Sequence, residues 1–451
     1  MRKRISAFFS VLAAIVLLTV PASAASSGST LKIICADAGQ VIFTPPGSTQ
    51  YAYRYGPAIL IDGDRIDIWA SAPPLVSNGV RYGNDSIEYI RSTDGGKTWT
   101  EWKTVLYPTL NSEDQWSTCD PGAFKYGDYY YVGYTGSPEF RTNPDKEKQV
   151  NNLFIARAKN PEGPYEKWNG NGWGGDPYAI TRYSGDGVGC SMPSFTVKGD
   201  TLYMYYVDQT HPDQDWNSEG NISVSTFSLK DPNWPGNELS NKMCENKPEE
   251  VRYCPDIDKF IGFQLKGGWD YDSYVEIYES TDGVNFTKTS SFRNNFPHYA
   301  HNIGISGNNL GQLDLSIQNY IGTAYTPTGV EAWWGHWHTQ LIPLYIREEQ
   351  PSSTTSSQPS GSTDSSSQKP TTSSVGSTDG ESSKTEVSEP QNSNIESTVS
   401  DDKDKDKEVN NKTEQQEETS YLWLYIVIGA VVVLAGAGTA VYFLVIKKKH
   451  V

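Results

Sequence analysis

The sequence predicts an all-β domain, and three observations support this fold class. Apolar and polar residues alternate with a period of two in segments rich in β-branched and aromatic residues, such as 66-IDIWAS-71, 129-YYYVGY-134 and 202-LYMYYV-207. Turn signals built from Gly and Asp recur at short spacing between these segments. A 3.6-residue apolar period, the sign of a helix, is not found before residue 421. These patterns indicate strands that are joined by tight turns.

A repeated motif predicts how the strands are grouped. Pro, a small residue, a Gly-Asp turn and an aromatic strand occur together in 56-GPAILIDGDRIDIWAS-71, 119-CDPGAFKYGDYYYVGYTG-136 and 192-MPSFTVKGDTLYMYYVD-208. A repeat of about 40 to 65 residues suits one four-stranded β-propeller blade. The predicted repeat units are residues 51–106, 116–168, 188–230, 253–292 and 298–346. The sequence therefore predicts a five-bladed β-propeller with four-stranded antiparallel blades.

Two further features support the repeat. Segment 30–44 is strand-like, and we expect it to complete the last blade and close the ring, which removes exposed sheet edges. Unit five is expected to open with 301-HNIGISGN-308 and to continue into 312-QLDLSIQNY-320. The stretch 92-STDGGKTW-99 fits the Asp-box pattern S-x-D-x-G-x-T-W, and 280-STDGVNF-286 is a shortened relative. In this pattern Asp caps a tight turn and Gly supplies a positive φ, so we expect a structural role.

The N-terminal residues 1–24 predict a signal peptide. Arg2, Lys3 and Arg4 precede the apolar stretch 8–20, and 22-ASA-24 is a small-residue cleavage site. The domain at residues 25–347 is therefore expected outside the cytoplasm.

The C-terminal part predicts a stalk and a membrane anchor. Residues 348–420 are rich in Ser and Thr and too polar to form a core, so we expect a disordered stalk. Residues 421–446 are apolar over a length that can span a bilayer, and the lysines within 447–451 are expected to remain cytoplasmic. The predicted location is the cell surface, as a single-pass type I membrane protein with an extracellular N-terminal domain.

Net charge and cysteine content limit which partners the domain can have and whether its cysteines can form disulfides. The formal net charge of −17 argues against nucleic acid or anionic lipid as a partner of the domain. Five cysteines lie in the exported domain, where disulfides are permitted. Cys244 could pair with Cys254 across a short loop, and Cys119 could pair with Cys190 across neighbouring repeats, with one cysteine left over. Their spacing does not resemble a zinc site.

With these motifs the domain resembles the β-propeller glycoside hydrolases. Units two and three, with 120-DPGAFKYGDYYYVGYTG-136 and 193-PSFTVKGDTLYMYYVD-208, resemble the five-bladed arabinanases, xylosidases and fructosidases of the family 43 and family 32 type. Unit one, with 53-YRYGPAILIDGDRIDIW-69 and the Asp-box that follows, resembles the sialidase superfamily. The resemblance implies an axial funnel that holds a saccharide.

In the five-bladed hydrolases, three carboxylates at the starts of inner strands act as base, orienting acid and general acid. Carried over to this sequence, only Asp120 matches. The base position falls on Gly56 and the general-acid position on Ser191-Met192, and none of these can transfer a proton near neutral pH. The resemblance also implies that His301, from the last blade, approaches a cation on the axis, and that cation would be a central Ca²⁺.

Other residues are candidates for the same site. Asp114, in 111-NSEDQWS-117, and Asp186, in 184-SGDGVGC-190, lie on loops that lead into the predicted mouth, where either could replace a lost acid. Their alternative role is that of ordinary solvated loop acids. An aromatic face packs on a sugar ring and a carboxylate accepts its hydroxyl hydrogen bonds. The predicted sugar-binding residues are therefore Arg54, Trp116, Asp208, Trp269, Asp270, Asp272 and His301.

Two functions remain open from the sequence. The first is a membrane-anchored extracellular glycoside hydrolase that acts on glycan or polysaccharide side chains with relocated carboxylates. The alternative is a glycan-binding surface protein, an adhesin or receptor, that has kept the funnel of a hydrolase propeller and lost its chemistry.

Overall fold

The computed structural model describes residues 30–46, 52–138, 140–143, 146–182, 188–210, 220–327 and 336–349. The chain divides into two compact units, residues 1–358 and 359–451, and every described residue lies in the first. The described residues form strands and no helix, which confirms the predicted all-β class. None of them belongs to a helix that is long and apolar enough to cross a membrane. The predicted signal peptide, most of the stalk and the 421–446 segment lie outside the described residues.

The strands form three separate four-stranded antiparallel sheets, one nine-stranded sheet that contains two further antiparallel units, and two small hairpins. The three sheets and the two units are here called blades. Before the first blade the chain contains β1 (Thr30–Cys35) and β2 (Gln40–Phe43). Blade one contains β3 (Tyr55–Asp62), β4 (Arg65–Ala72), β7 (Ser86–Ser92) and β8 (Lys103–Leu106), with the hairpin β5 (Leu75–Ser77) and β6 (Val80–Tyr82) between β4 and β7. Blade two contains β9 (Ser117–Tyr126), β10 (Tyr129–Ser137), β13 (Asn152–Ala158) and β14 (Glu166–Lys167), with the hairpin β11 (Phe140–Asn143) and β12 (Lys146–Gln149) after β10. Blade three contains β15 (Gly189–Lys198), β16 (Thr201–Gln209), β17 (Asn221–Ser228) and β18 (Glu238–Met243). Blade four contains β19 (Glu250–Cys254), β20 (Lys259–Lys266), β21 (Tyr274–Ser280) and β22 (Thr287–Phe292). Blade five contains β23 (Ala300–Gly307), β24 (Asn319–Tyr325) and β25 (His338–Glu349).

The five blades form a propeller-like ring. Their first strands contact one another in the cyclic order β3, β9, β15, β19, β23 and again β3. At the last of these contacts β23 and β3 pair in parallel, Ser306 with Ile59 and Gly307 with Leu60. The two backbones approach so closely that a Cβ on Gly304 would lie 1.6 Å from the carbonyl oxygen of Pro57, so only glycine fits there. The first strands therefore surround a common axis.

The N-terminal strand completes blade five, as predicted for segment 30–44. β1 pairs antiparallel with β25 along its whole length, from Thr30 opposite Glu349 to Cys35 opposite Leu344, and β2 pairs with β25 as well. Leu31, Ile33 and Cys35 are buried while the residues between them are exposed. Because the first strand of the chain joins the last, the ring closes without leaving β25 as an open edge.

Each pair of neighbouring blades encloses its own apolar core. Blades one and two share the core around Trp69 and Tyr134, and blades two and three share that around Phe124 and Phe195. Blades three and four, four and five, and five and one are joined by three further cores. Hydrophobic burial thus holds the ring together at every interface between blades.

The structure corrects the expected cysteine pairing. All five cysteines are free thiols, and all are buried. Cys244 packs in the core between blades three and four, whereas Cys254 packs in the core between blades four and five, so they lie on opposite faces of blade four. Cys119 lies at the axis and Cys190 in the core between blades two and three. Neither predicted disulfide is present, because the fold places the two cysteines of each predicted pair in different clusters.

The predicted Asp-box turns have the expected hydrogen bonds. The Asp94 carboxylate accepts from the Thr98 amide at 2.9 Å and the Thr98 hydroxyl at 2.7 Å. Asp282 accepts from the Val284 and Asn285 amides at 2.9 and 2.8 Å. Both turns join the third and fourth strands of their blades. Segment 312-QLDLSIQNY-320 connects β23 and β24 of blade five, and β24 starts at Asn319.

Candidate functional site

Four first strands carry a bulge at the same place near their start. Gly56, Asp120, Met192 and Asn302 have φ values of 57°, 48°, 57° and 49°, and the pairing register of each strand shifts there. A bulge bends its strand and redirects a side chain. A left-handed conformation is costly for residues other than glycine and is concentrated at functional sites. We call the end of the ring where these bulges meet the axial mouth.

Asp120 is the one carboxylate among these bulge residues, and its backbone and side chain are held by neighbouring strands. Its amide donates to Ser71 Oγ of blade one at 2.7 Å. Its carboxylate accepts from the Thr135 hydroxyl and from Cys119 Sγ, the latter at 3.4 Å. Thr135 Oγ1 in turn accepts from the Met192 amide of blade three at 2.9 Å. Asp120 is thus oriented by the blades on both sides.

The surroundings of Asp120 favour its protonated form. Burial raises its pKa to about 6, and the nearby Asp85 carboxylate acts in the same direction, against the hydrogen bonds from Cys119 and Thr135. A carboxyl group with this pKa can gain or lose a proton near neutral pH. That is a requirement for a general acid or base and is unusual for an aspartate.

A second buried carboxylate, Asp85, supports this position and was not predicted. It accepts from Tyr53 Oη at 2.5 Å, Ser117 Oγ at 2.9 Å and Asn84 Nδ2 at 3.1 Å. Ser117 Oγ lies 3.4 Å from Cys119 Sγ, and that thiol contacts Asp120. Burial raises the pKa of Asp85. Asp85 is only 4% exposed, and its charge acts on the Asp120 carboxyl group.

Aromatic rings form the wall beside Asp120. The ring of His301 lies 4.2 Å from that of Trp269, 4.3 Å from that of Trp337 and 5.5 Å from that of Tyr55. Tyr55 is close enough to Asp85 and Asp120 to interact with their charges, so it connects this wall to the carboxylates. The structure therefore brings three predicted residues, Asp120, Trp269 and His301, into one continuous site.

His301 has the electrostatics of a neutral ring. Burial lowers its pKa to about 3, so it is uncharged at neutral pH. The described residues contain no group of three or more His, Cys, Asp or Glu side chains that could hold a metal ion. Aromatic rings surround His301 where further oxygen ligands would be needed for Ca²⁺. These residues do not fit the cation expected at the axis.

A buried ion pair lies deeper along the axis and was also not predicted. Arg252 Nη2 lies 2.8 Å from Glu250 Oε2, and Arg252 Nη1 donates to Ser194 Oγ at 2.7 Å. The Arg252 guanidinium also donates from Nε to the carbonyl oxygen of Ile305 at 3.1 Å. Burial raises the pKa of Glu250 and lowers that of Arg252. The pair joins blades three, four and five beneath the mouth.

Two of the predicted residues have partners that indicate structural roles. Arg54 Nη2 pairs with Glu88 Oε2 at 2.5 Å, and its guanidinium carbon lies 4.6 Å from the centre of the Phe43 ring. Asp114 is fully buried, 2.5 Å from Lys167 Nζ and 2.9 Å from Tyr134 Oη. Both side chains are occupied within the protein, Arg54 between strands and Asp114 beneath its loop.

The other predicted residues that the structure describes lie at or beyond the rim. The Trp116 carbonyl accepts from the Asn84 amide at 2.6 Å, so Trp116 adjoins the loop that carries Asp85. Asp270 and Asp272 are exposed on the loop that follows Trp269. Asp208 is the last residue but one of β16, and its carboxylate accepts from Ser223 Oγ at 3.1 Å. Asp186 lies outside the described residues.

The wall residues that sequence reasoning missed were only weakly marked. Tyr53 and Tyr55 flank Arg54 in 53-YRY-55, and only the arginine was predicted as a site residue. Trp337 lies in 333-WWGHWHTQ-340, a cluster read as aromatic packing. An alternation of two tyrosines directly before Gly56 was the available signal, since residues i and i+2 of a strand share a face.

No protein-family model matches the sequence, and the comparison with curated protein sequences finds no match. Similar solved structures include an α-L-arabinofuranosidase from Podospora anserina in complex with cellotriose, at 12% identity and a TM-score of 0.44, over 71% of this chain and 98% of that chain. A family 117 glycoside hydrolase from Zobellia galactanivorans has 14% identity and a TM-score of 0.46, over 71% and 90%. The GH43_1 enzyme from Xanthomonas citri complexed with xylose has 13% identity and a TM-score of 0.45, over 67% and 90%. These glycoside hydrolases are five-bladed β-propeller enzymes. Because identity is this low, the chemistry of the site is derived from the residues of this chain alone.

Proposed function

We propose that the protein is a carbohydrate-active five-bladed β-propeller of the glycoside hydrolase type. In this proposal the axial mouth binds a saccharide and Asp120 is the carboxylate that transfers a proton. The observation that carries it is the position of Asp120, with a pKa of about 6, beside a wall of aromatic rings.

The wall supports saccharide binding for a physical reason. The C–H face of a sugar ring packs on aromatic side chains, while its hydroxyl groups donate hydrogen bonds to a carboxylate. Trp269 is partly buried and adjoins the exposed Tyr271, whose ring stacks on His298 with 3.8 Å between ring centres. Tyr55 and Trp337 are buried, so Trp269 and Tyr271 are the rings of this region that a sugar can reach. We propose that successive sugar residues lie on these two rings.

Hydrolysis of a glycosidic bond requires a second group besides Asp120, since one acid protonates the leaving oxygen and another group activates water or attacks the sugar. We propose Asp186 for this role. The sequence places it three residues before β15, the strand that carries Met192 into the mouth. Asp120, with its pKa of about 6, would then be the group that donates the proton, and its protonated fraction would rise as the pH falls towards 6.

A glycan receptor without hydrolytic activity is the second candidate function. A specific observation favours it. Gly56 and Met192 occupy the bulges on either side of Asp120, and neither carries an ionisable group. A Cβ at Gly56 would lie 3.5 Å from Asp120 Oδ1, so a carboxylate at that position would have been next to Asp120. A receptor would retain the aromatic wall and need no second acid.

We propose further that the domain acts at the cell surface. The charged and apolar N-terminal segment supports export, and the apolar segment 421–446, followed by lysines, supports a single C-terminal anchor. The Ser/Thr-rich stalk between the domain and this anchor would hold the mouth away from the membrane.

Sugar release separates the two functions. Full-length protein is incubated with plant and mucin-type oligosaccharides, and the Asp120→Asn variant is compared with Asp128→Asn. Asp128 is exposed in the turn at the far end of β9, so its variant makes the same chemical change away from the mouth. Release that is lost in Asp120→Asn and kept in Asp128→Asn supports a hydrolase. Saturable binding on a glycan array without release supports a receptor, and the absence of both contradicts both functions.

A further inference from the structure

A groove lies between blades one and two, at the end of their strands that is opposite the axial mouth. It has a volume of about 500 Å³. Arg65, Arg91 and Lys103 of blade one form one side, and the loop 160–164 of blade two forms the other. Arg65 is the first residue of β4. Ser71, which contacts Asp120, lies near the other end of the same strand, so about 20 Å of strand separates the groove from the mouth.

The groove contains more positive than negative charge. Arg65 Nε lies 2.8 Å from Asp67 Oδ2, and Arg91 Nη2 lies 2.8 Å from Glu162 Oε1. Lys103 is exposed and makes no ion pair with another described residue. Three cations therefore face two carboxylates in a chain whose formal net charge is −17. The positive charge is a local property of this groove.

The two arginines retain donating capacity that their neighbours do not use. Within the described part of the chain, Arg65 Nη2 and Arg91 Nε have no hydrogen-bond acceptor and are themselves shielded from solvent. Each arginine side chain is 28% exposed as a whole, so a ligand would reach it through its other, accessible atoms. Each guanidinium is held in place by a carboxylate through another of its nitrogens. An arginine that is oriented in this way presents a planar set of donors, which matches the oxygens of a carboxylate or a sulfate.

The opposite wall of the groove is held in position. The carbonyl oxygen of Pro161 accepts from Trp69 Nε1 at 3.3 Å and from Tyr165 Oη at 3.0 Å. Both donors belong to or pack against the core between blades one and two. The loop is also closed by the Gly163 amide, which donates to the carbonyl oxygen of Asn160 at 2.9 Å. The groove is therefore formed before a ligand arrives, which reduces the cost of ordering it.

We propose that this groove binds the oxyanion of an acidic sugar, either the carboxylate of a uronic acid or a sulfate ester. The guanidinium groups and Lys103 would bind the oxyanion. Thr104 and Asn160, which also line the groove, would contact sugar hydroxyl groups. The volume falls within the range of about 300–1,000 Å³ that small-molecule sites occupy. This site is separate from the axial mouth and does not depend on hydrolysis there.

Calorimetric titration of the full-length protein tests the proposal. The probes are a galacturonic acid trimer, a sulfated galactose trimer and a neutral galactose trimer, each at two salt concentrations. We expect an acidic trimer to bind, more weakly at high salt. Lys103→Gln should weaken that binding about tenfold, as loss of one charged hydrogen bond implies. Lys242→Gln is the matched control, because Lys242 is exposed on β18 and makes the same charge change far from the groove.

The outcomes separate the sources of the oxyanion and the two sites. Binding of the uronate trimer alone or of the sulfated trimer alone supports the proposal and identifies the group. Equal affinity for the neutral trimer, no binding of any trimer, or equal affinities of Lys103→Gln and Lys242→Gln would overturn it. Asp120→Asn should leave this binding unchanged, so failure at the axial mouth and failure at the groove are told apart.

Discussion

At the scale of single residues, the position of Asp120 at the axial mouth carries a cost in folding free energy. Its backbone has a left-handed conformation, and its carboxylate is held among buried groups beside a second carboxylate, Asp85. Both features are unfavourable for folding and are maintained by contacts from blades one and three. The residue is thus held at the axial mouth at the expense of stability.

The raised pKa of Asp120 predicts that the stability of the protein depends on pH. The folded-state pKa of about 6 lies above the ordinary value of 3.8, so the folded protein binds this proton more tightly than the unfolded chain does. The free energy of unfolding should therefore fall as the pH rises from about 4 to about 6, by about 3 kcal/mol for this group. Asp120→Asn, which cannot ionise, should match the wild type at pH 4 and be the more stable protein at pH 7.5.

Urea unfolding at both pH values measures this difference. Asp128→Asn serves as the control, because Asp128 is exposed and its loss should give the same small change at each pH. A stability difference between wild type and Asp120→Asn that is the same at pH 4 and pH 7.5 would show that burial does not shift the pKa of Asp120.

At the scale of elements, a hydroxyl on the second strand of one blade holds the bulge of the next. Ser71 on β4 accepts the Asp120 amide, and Thr135 on β10 accepts the Met192 amide. The bulge amides cannot join the strand ladder, so they need another acceptor. These two contacts therefore set the relative position of neighbouring first strands at the mouth.

Thr135→Val is predicted to have two effects. The Met192 amide would lose its acceptor in a buried place, which should cost about 1–3 kcal/mol of stability. The Asp120 carboxylate would lose a hydrogen bond that favours its charged form, so its pKa should rise further. Urea unfolding measures the first effect and carbon-13 NMR titration of the Asp120 carboxyl group measures the second.

Ser71→Ala is the matched comparison for this prediction. It removes an acceptor from the Asp120 amide and leaves the hydrogen bonds to the carboxylate in place, so it should destabilise the protein with a smaller effect on the pKa of Asp120. Equal pKa changes in the two variants would contradict the assignment of Thr135 as a donor to the carboxylate.

At the scale of the whole molecule, stability depends on closing the ring. The last interface is completed by β1, whose inward residues enter the core between blades four and five. Ile33 is 1% exposed there, whereas its neighbour Lys32 is exposed. β1 thus joins the blade that is formed by the last strands of the domain. The contacts that close the ring therefore link residues that are far apart in the sequence.

Ile33→Ala should destabilise the protein by about 2–4 kcal/mol, because it leaves a cavity in a packed core. Lys32→Ala, one position along the same strand, should change stability by less than about 0.5 kcal/mol. Thermal unfolding followed by circular dichroism compares the two variants. If they unfold alike, β1 is not part of the folded ring.

Sequence reasoning predicted the features that depend on neighbouring residues. Period-two alternation, Gly-Asp turns and the Asp-box pattern are local, so they specified strands, turn positions and the grouping of strands into five repeats. The strand character of segment 30–44 was also local, and ring closure followed from the need to cover the last edge. The bulge at Asp120 was not predicted, although Gly56, Asp120 and Met192 each stand directly before the proline of the repeat.

The tertiary structure decided which side chains meet. Asp114, on the loop before β9, pairs with Lys167 of β14, and Arg54 pairs with Glu88 across blade one, so two residues predicted at the site have structural partners instead. Tyr55, Asp85 and Trp337 are far apart in sequence and converge on Asp120 and His301 only when blades one, two and five surround the axis. Such contacts depend on how separate repeats are placed in space, and a local residue pattern contains no information about that placement. The sequence by itself therefore determined the all-β repeat and the position of Asp120, whereas the packing of the blades decided the composition of the site.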